Sequence, residues 1–219
     1  MEQVKYWDKQ FGQNSCIWGD EPSIATNIAL SIFKEKQIKS ILIPGVGYGR
    51  NSKVFTSTGF DVTGVEISST ACRLAQKYDP SLKLLNSSIF EIQLPEEEYD
   101  AVFCFDVLHL FLKGDRDKFI RKCEKLVKLG GFLFFTVLSE HDDYFRNGAE
   151  VEANTFEVKP GKLIHFFSKL DLENSFAQFN KLQEGEILDS VSHAQHGQKE
   201  YRIRYICVQK QSVTGTIDT

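Results

Sequence analysis

The stretch Ile41-Leu-Ile-Pro-Gly45-Val-Gly47-Tyr-Gly49-Arg50-Asn51 holds the chain's most informative chemistry. Glycines at alternate positions just after an apolar run let the backbone turn tightly and come close to a ligand. The ligand's polar end then meets the free amides at the start of the next helix. The spacing is G-x-G-x-G, whereas a dinucleotide fingerprint, G-x-G-x-x-G, would put Arg50 or Ser52 at its third glycine. Glu66 lies 21 residues beyond Gly45, at the end of a second β-rich run, Phe60-Asp-Val-Thr-Gly-Val. A carboxylate there can accept hydrogen bonds from both hydroxyls of an adenosine ribose. Turn and acid together describe one ligand site at the edge of a sheet.

Further along, Asp106 and His109 follow the apolar run Tyr99-Asp-Ala-Val-Phe-Cys-Phe. His109 is a candidate general base, or a structural histidine in a wall of Leu108, Leu110 and Phe111. Arg50 can reach a carboxylate with its planar fork or sit solvated in a first helical turn. His141, Asp142, Asp143 and Tyr144 read as a solvated loop on the same edge, and His165 as an ordinary half-buried histidine or, alternatively, a lining residue of a substrate pocket. His193 and His196, on a late loop, receive no role. Neither a nucleophilic triad nor a metal-ligand spacing stands out.

The elements that must position these groups alternate regularly. Residues 1–22, with Trp7 and Trp18, read as an irregular or partly helical arm, followed by a helix to about residue 36. Ser40-Ile-Leu-Ile is a buried strand, Asn51 to Thr58 a helix, and Phe60 to Val65 a strand. A helix from Ser68 carries Ala71, Leu74, Ala75 and Tyr78 on one face. Leu82 to Leu85 and Tyr99 to Phe105 are further strands. A helix capped by Asp115 buries Phe119, Ile120, Cys123 and Leu126, stops at Gly130-Gly131, and leads into the strand Phe132 to Leu138. This alternation predicts a parallel sheet with right-handed crossovers and helices on both faces. Residues 139–166 read as a polar, irregular insertion. Ser168 opens a short helix that buries Leu172, Phe176 and Phe179. Glu186–Ser192 and Tyr201–Gln209 form an antiparallel pair on the sheet edge, and the tail from residue 211 is frayed.

The 219 residues fit one domain of residues 1–210, with a tail at 211–219. Lysine plus arginine number 26 against 30 acidic residues, a net charge of −4 without the basic footprint of a nucleic-acid binder. The five cysteines never form a C-x-x-C pair, which fits a reducing cytoplasm. No stretch has the length and apolarity of an export signal or membrane span.

Gly45-Val-Gly-Tyr-Gly-Arg-Asn, Val65-Glu66, Tyr99-Asp-Ala-Val-Phe, Asp106-Val-Leu-His109 and Lys128-Leu-Gly-Gly-Phe resemble the motifs of class I S-adenosylmethionine-dependent methyltransferases. Within that class the chain looks like the small-molecule branch related to tellurite-resistance and thiopurine methyltransferases. The resemblance covers residues 5 to 209 and implies an α/β, Rossmann-like fold. Its seven-stranded, mostly parallel sheet has helices on both faces and a C-terminal antiparallel hairpin. It further implies that Gly45, Gly47 and Gly49 wrap the methionine part of S-adenosylmethionine. Glu66 would hold the ribose, Ser88 and Ile89 flank the adenine, Phe105 and Asp106 lie beneath the sulfonium, and Trp18 close over the cofactor, with Arg50, Asn51 and Ile67 also counted among the cofactor-binding residues. Two family acids are missing, replaced by Ile43 and Ser88.

The expectation is methyl transfer by in-line displacement to a small O, S, N or chalcogen nucleophile, with Asp106 and His109 nearest the chemistry and no metal. Residues 1–36 form an arm and helix, and 139–166 form a substrate lid. No nucleic acid or membrane partner is expected, and the protein is read as a monomer or homodimer. A non-catalytic S-adenosylmethionine-binding scaffold and a nicotinamide-dependent reductase are the alternatives.

Overall fold

The computed structural model describes residues 2–14, 16–193 and 197–211. Helices α1 (Glu2–Asn14) and α2 (Ile24–Glu35) precede β1 (Ser40–Pro44). There follow α3 (Ser52–Ser57), β2 (Asp61–Glu66), α4 (Ser69–Tyr78), β3 (Lys83–Asn86), β4 (Tyr99–Cys104), α5 (Lys113–Leu126) and β5 (Val127–Leu138). Three short strands come next, β6 (Ala149–Glu152), β7 (Thr155–Lys159) and β8 (Lys162–His165). Helix α6 (Lys169–Ser175) and the long strands β9 (Asn180–His193) and β10 (Gly197–Gln209) complete the order.

The main sheet has seven strands in the order β3-β2-β1-β4-β5-β10-β9. β1 to β5 run parallel, and β10 is antiparallel to both β5 and β9. β1, β4 and β5 are buried almost throughout because helices cover both faces. Side chains therefore alternate between two cores: Phe134 meets Phe33 and Phe103 on one face, while its neighbour Phe135 meets Phe119 and Phe176 on the other. Each fully buried phenylalanine contributes about 1.5–3 kcal/mol. The helices are anchored at their starts: Ser23 caps α2 through Ala25 N–H, Ser68 caps α4 through Ala71 N–H, and Ser168 caps α6 through Asp171 N–H. Strand order reverses between β1 and β4, so the loops leaving their carboxyl ends diverge and open a crevice.

The structure departs from the sequence expectation in several places. The arm begins as a regular helix, α1, whose Phe11 is buried. α5 starts at Lys113 with Leu112 at the N-cap position and no side-chain cap. Asp115 lies inside the first turn, where it favours the helix dipole and pairs with Lys118. The helix ends at Leu126, with Gly130 and Gly131 inside β5. The hairpin strands β9 and β10 are also longer than expected. His196 and the tail beyond Gln211 lie outside the described residues.

The insertion is not irregular. β6, β7 and β8 form a separate antiparallel sheet, with Asn154 and Gly161 at positive φ in its turns. It reads as polar because one face meets water while Phe156 and Ile164 on the other are buried. The excursion returns to its origin: Phe167 N–H donates to Leu138 C=O at 2.9 Å, and Glu140 N–H donates to Phe167 C=O at 3.0 Å. Buried His165 tethers this sheet, bonding Thr155 Oγ1 through Nδ1 and the Asp171 carboxylate of α6 through Nε2.

Candidate functional site

A cavity of about 1080 Å³ opens at the carboxyl ends of β1 and β4. Of the sequence-predicted residues, Trp18, Gly45, Gly47, Arg50, Asn51, Glu66, Ile67, Ser88, Ile89, Phe105, Asp106 and His109 all line it. The turn after β1 forms its floor. Gly45 has φ +66°, and a Cβ there would come 2.4 Å from Val107 Cγ2. Glycine thus serves both the left-handed backbone and the close packing against the loop after β4. Gly49 departs from expectation, because it does not line the cavity. With φ +89°, it turns the open side of its Cα toward α4, where a Cβ would lie 3.6 Å from Ala75 Cα. Its open side serves the packing of the turn against α4.

Glu66 ends β2 with its side chain nearly fully buried. Oε2 accepts Gly47 N–H at 2.9 Å and Oε1 accepts Ser68 N–H at 2.8 Å. Burial pushes its carboxyl above the usual range, and those amide bonds oppose the shift. Two amides leave acceptor capacity on each oxygen, so the group can also receive a pair of ligand hydroxyls. Ser88 Oγ accepts Phe90 N–H at 3.3 Å, which fixes the turn after β3 that brings Ile89 to the wall.

Asp106 follows β4 in the left-handed region, φ +55°, a costly conformation for a non-glycine residue. Thr136 of β5 holds it there, its Oγ1 accepting Asp106 N–H at 2.9 Å and donating to Asp106 Oδ1 at 2.7 Å. Burial pushes the carboxyl up to about 7, with Asp189 and Asp142 adding to the rise and Thr136 and Arg50 opposing it. His109 is buried in the short helical turn after β4, and its Nδ1 accepts Leu138 N–H at 3.3 Å. In the neutral ring the proton then sits on Nε2. Burial, then Lys162 and His165, pull its pKa down to about 3. The ring is a hydrogen-bond donor at neutral pH.

The arm closes one side. The Trp18 ring stacks on Tyr48 at 6.2 Å, and Tyr48 O–H donates to Gly19 C=O at 2.6 Å. Arg50 Nη1 donates to the carbonyls of Trp18 and Glu21, and its guanidinium lies 5.6 Å over the Phe105 ring. Arg50 is therefore buried and anchors the arm, which neither alternative for it described. On the far side of α1, Asp8 accepts from Ser68 Oγ and Thr70 N–H at the start of α4.

Several lining residues escaped the sequence reading. Asp189 and His193 share a face of β9 with Val191 and reach the cavity, as do Lys162 of β8, Lys199 and Tyr201 of β10, and Tyr144. The period-two spacing of 189, 191 and 193 was the available signal. Conversely, His165 is occupied by Thr155 and Asp171, and His141 pairs with Glu186, so neither lines the cavity. Asp142 is buried, accepting from the amides of Tyr144 and Arg202.

The family model described as a methyltransferase domain matches residues 42–135, from β1 into β5. That match takes in the glycine turn, Glu66 and Asp106, the residues that converge on the cavity. The chain is 32% identical over 114 residues to a ubiquinone biosynthesis O-methyltransferase of Hydrogenovibrio crunogenus, covering 50% of this chain and 46% of that protein. A Bordetella avium protein of the same name is 28% identical with the same coverage. The chain thus spans about half the length of the curated relatives it matches. In fold, the chain is similar to the Burkholderia thailandensis 1,6-didemethyltoxoflavin-N1-methyltransferase, a structure with bound 1,6-didemethyltoxoflavin and S-adenosylhomocysteine. Their TM-score is 0.69 at 16% identity, covering 96% of this chain and 88% of that one. Among the described residues no helix is long and apolar enough to cross a membrane, and no cluster of three or more metal-ligating side chains occurs.

Proposed function

We propose that this chain transfers a methyl group from S-adenosylmethionine to a small-molecule nucleophile. The observation that carries the reading is the convergence of the Gly45–Gly47 turn, Glu66 and Asp106 on one cavity at the switch in strand order. The residues present fit the cofactor. Glu66 keeps acceptor capacity for the ribose hydroxyls, Ile67, Ser88 and Ile89 offer a wall for the adenine, and the Trp18–Tyr48 stack covers it. Arg50 and Asn51 meet the methionine carboxylate. The family acid replaced by Ile43 has a substitute in Asp189, a buried cavity-lining carboxylate whose Oδ1 accepts from Ser23 Oγ and Ile24 N–H. Asp189 then serves the cofactor's ammonium.

When bound, S-adenosylmethionine supplies an activated methyl electrophile, and displacement in line with the S–C bond needs alignment above all. Asp106 takes the acceptor's proton, since a carboxyl near 7 is matched to neutral pH. His109 orients the acceptor through its Nε2–H and is not the base, because its only other nitrogen holds Leu138 N–H. The tellurite-resistance and thiopurine branch is a likeness of motifs, and the acceptor atom is O, S, N or chalcogen. The match of residues 42–135 to a methyltransferase domain supports methyl transfer over the nicotinamide reductase alternative. Five unpaired cysteines fit a cytoplasmic protein, and the assembly is a monomer or homodimer.

Calorimetry with S-adenosylhomocysteine tests the reading, with tight one-to-one binding as the expected result. Absence of binding sinks it. Binding without methyl transfer across a broad acceptor panel supports the non-catalytic scaffold.

A further inference from the structure

The lid sheet sorts its charges. Its carboxylates are spent elsewhere: Glu150 accepts Asn154 N–H, Glu157 accepts Gly161 N–H, and Glu152 accepts Lys113 N–H and lies 3.8 Å from Arg116. None of the three lines the cavity, whereas Lys159 and Lys162 do. A bulge between Glu157 and Lys159 breaks the alternation that would otherwise bind these two positions to one face. Across the cavity, Lys199 Nζ donates to Tyr144 O–H at 2.8 Å.

Among the described residues, none of these three lysines has a carboxylate partner. Surface lysines such as Lys83, Lys128 and Lys181 do, pairing with Asp61, Asp100 and Glu173. Lys162 is half-buried, and the charged neighbour acting on it is another cation, Lys159. Burial lowers its pKa to about 8, which leaves it mostly protonated at neutral pH. An ammonium withdrawn from water without a counter-ion is costly, and a ligand anion removes that cost. β8 packs against the turn that holds His109, whose Nε2–H adds a neutral donor at the same end. Tyr144 and Tyr201, stacked 6.0 Å apart, provide a flat wall.

We infer that the lid end of the cavity binds a carboxylate carried by a planar, aromatic methyl acceptor, with Lys162 as the principal contact and His109 beside it. The inference rests on the methyl-transfer reading of the same cavity and narrows it to aromatic acids.

The test uses the full chain saturated with S-adenosylhomocysteine, so that the cofactor's own carboxylate is already placed. Calorimetry at pH 7 compares 4-hydroxyphenylacetate with its uncharged amide, 4-hydroxyphenylacetamide. The wild type is expected to bind the acid about tenfold or more tightly than the amide. Lys162→Met is expected to erase that preference, Lys162→Arg to keep most of it, and both to leave S-adenosylhomocysteine affinity unchanged. Three results overturn the inference: no charge preference in the wild type, a preference that survives Lys162→Met, or a loss of S-adenosylhomocysteine affinity in that variant, which would assign Lys162 to the cofactor. Failure of the wild type to bind S-adenosylhomocysteine at all is a separate outcome and removes the underlying reading with it.

Discussion

The two halves of the cavity are built by different means. On the side of β1, β2 and β3, polar side chains are tied to backbone: Glu66 to the amides of Gly47 and Ser68, and Ser88 to that of Phe90. On the side of the lid and the terminal hairpin, His109 and Asp189 each hold a backbone amide, but several side chains meet side chains. Asp106 leans on Thr136, Lys199 on Tyr144, and His193 on Tyr201 at 2.8 Å, while Lys162 has no acidic partner among the described residues. Backbone partners are fixed by the fold and cradle an invariant ligand without reorganisation. Side-chain partners can be exchanged one at a time without disturbing the sheet. The first half suits a cofactor, and the second suits whatever acceptor a given chain must select.

The largest effect that would break this division is expected from Asp106→Asn. Asparagine tolerates the left-handed backbone, so the fold should persist while turnover falls about 10²–10⁴-fold, with S-adenosylhomocysteine affinity unchanged in calorimetry. Wild-type turnover should rise with pH through about 7 as Asp106 loses its proton, and the variant should lose that rise. Stability carries the opposite sign. Because the folded state holds this proton more tightly than the unfolded chain, wild-type stability should fall as pH climbs from 3.8 to about 7, and thermal melts of the variant should lack that contribution.

Next is Glu66→Ala, expected to weaken S-adenosylhomocysteine binding by about 1–3 kcal/mol and to lower the melting temperature, because two buried amides lose their acceptor. An affinity loss without a stability loss would show that the amide bonds matter little. Gly49→Ala should cost about 1–2 kcal/mol of stability through its left-handed backbone while leaving cofactor affinity nearly intact. Gly45→Ala should damage both, and equal behaviour of the two would erase the distinction between packing glycine and ligand glycine. The smallest effect is Asp8→Ala, about 1 kcal/mol from loss of a cap on α4. Hydrogen bonding to Ser68 and then Thr70 holds the Asp8 carboxyl below its usual range, so its contribution is present at neutral pH and lost on acidification. The gap between wild type and variant in urea melts should therefore be full at pH 7 and shrink steadily as the pH is lowered below 3.8.

The same division governs what the sequence disclosed. β1, its glycine turn and Glu66 lie within 25 or so residues and obey local rules, so Gly45, Gly47, Glu66 and the order of the first five strands could be read directly. Gly49 lies off the cavity lining, a placement the sequence could not show because a positive φ serves a ligand and a helix contact equally well. Asp189 and Lys162 reach the cavity only through pairings distant in the chain, such as Ser23 Oγ on Asp189 across 166 positions. A lid sheet with one wet face also resembles a loop in composition. His109 was visible as a residue but not as a donor, since its protonation follows from the Leu138 amide.

The hydrogen bonds that join Leu138 to Phe167 have a consequence for how such a chain can diversify. The intervening segment departs and rejoins at adjacent points of a rigid strand, so its length and content are nearly decoupled from the closure of the sheet, and lengthening it costs little loop entropy. It behaves as a cassette. Insertions, deletions or wholesale replacement between those two residues can recombine one glycine-turn cradle with many pocket roofs, and selectivity can change by splicing rather than by redesign of the core.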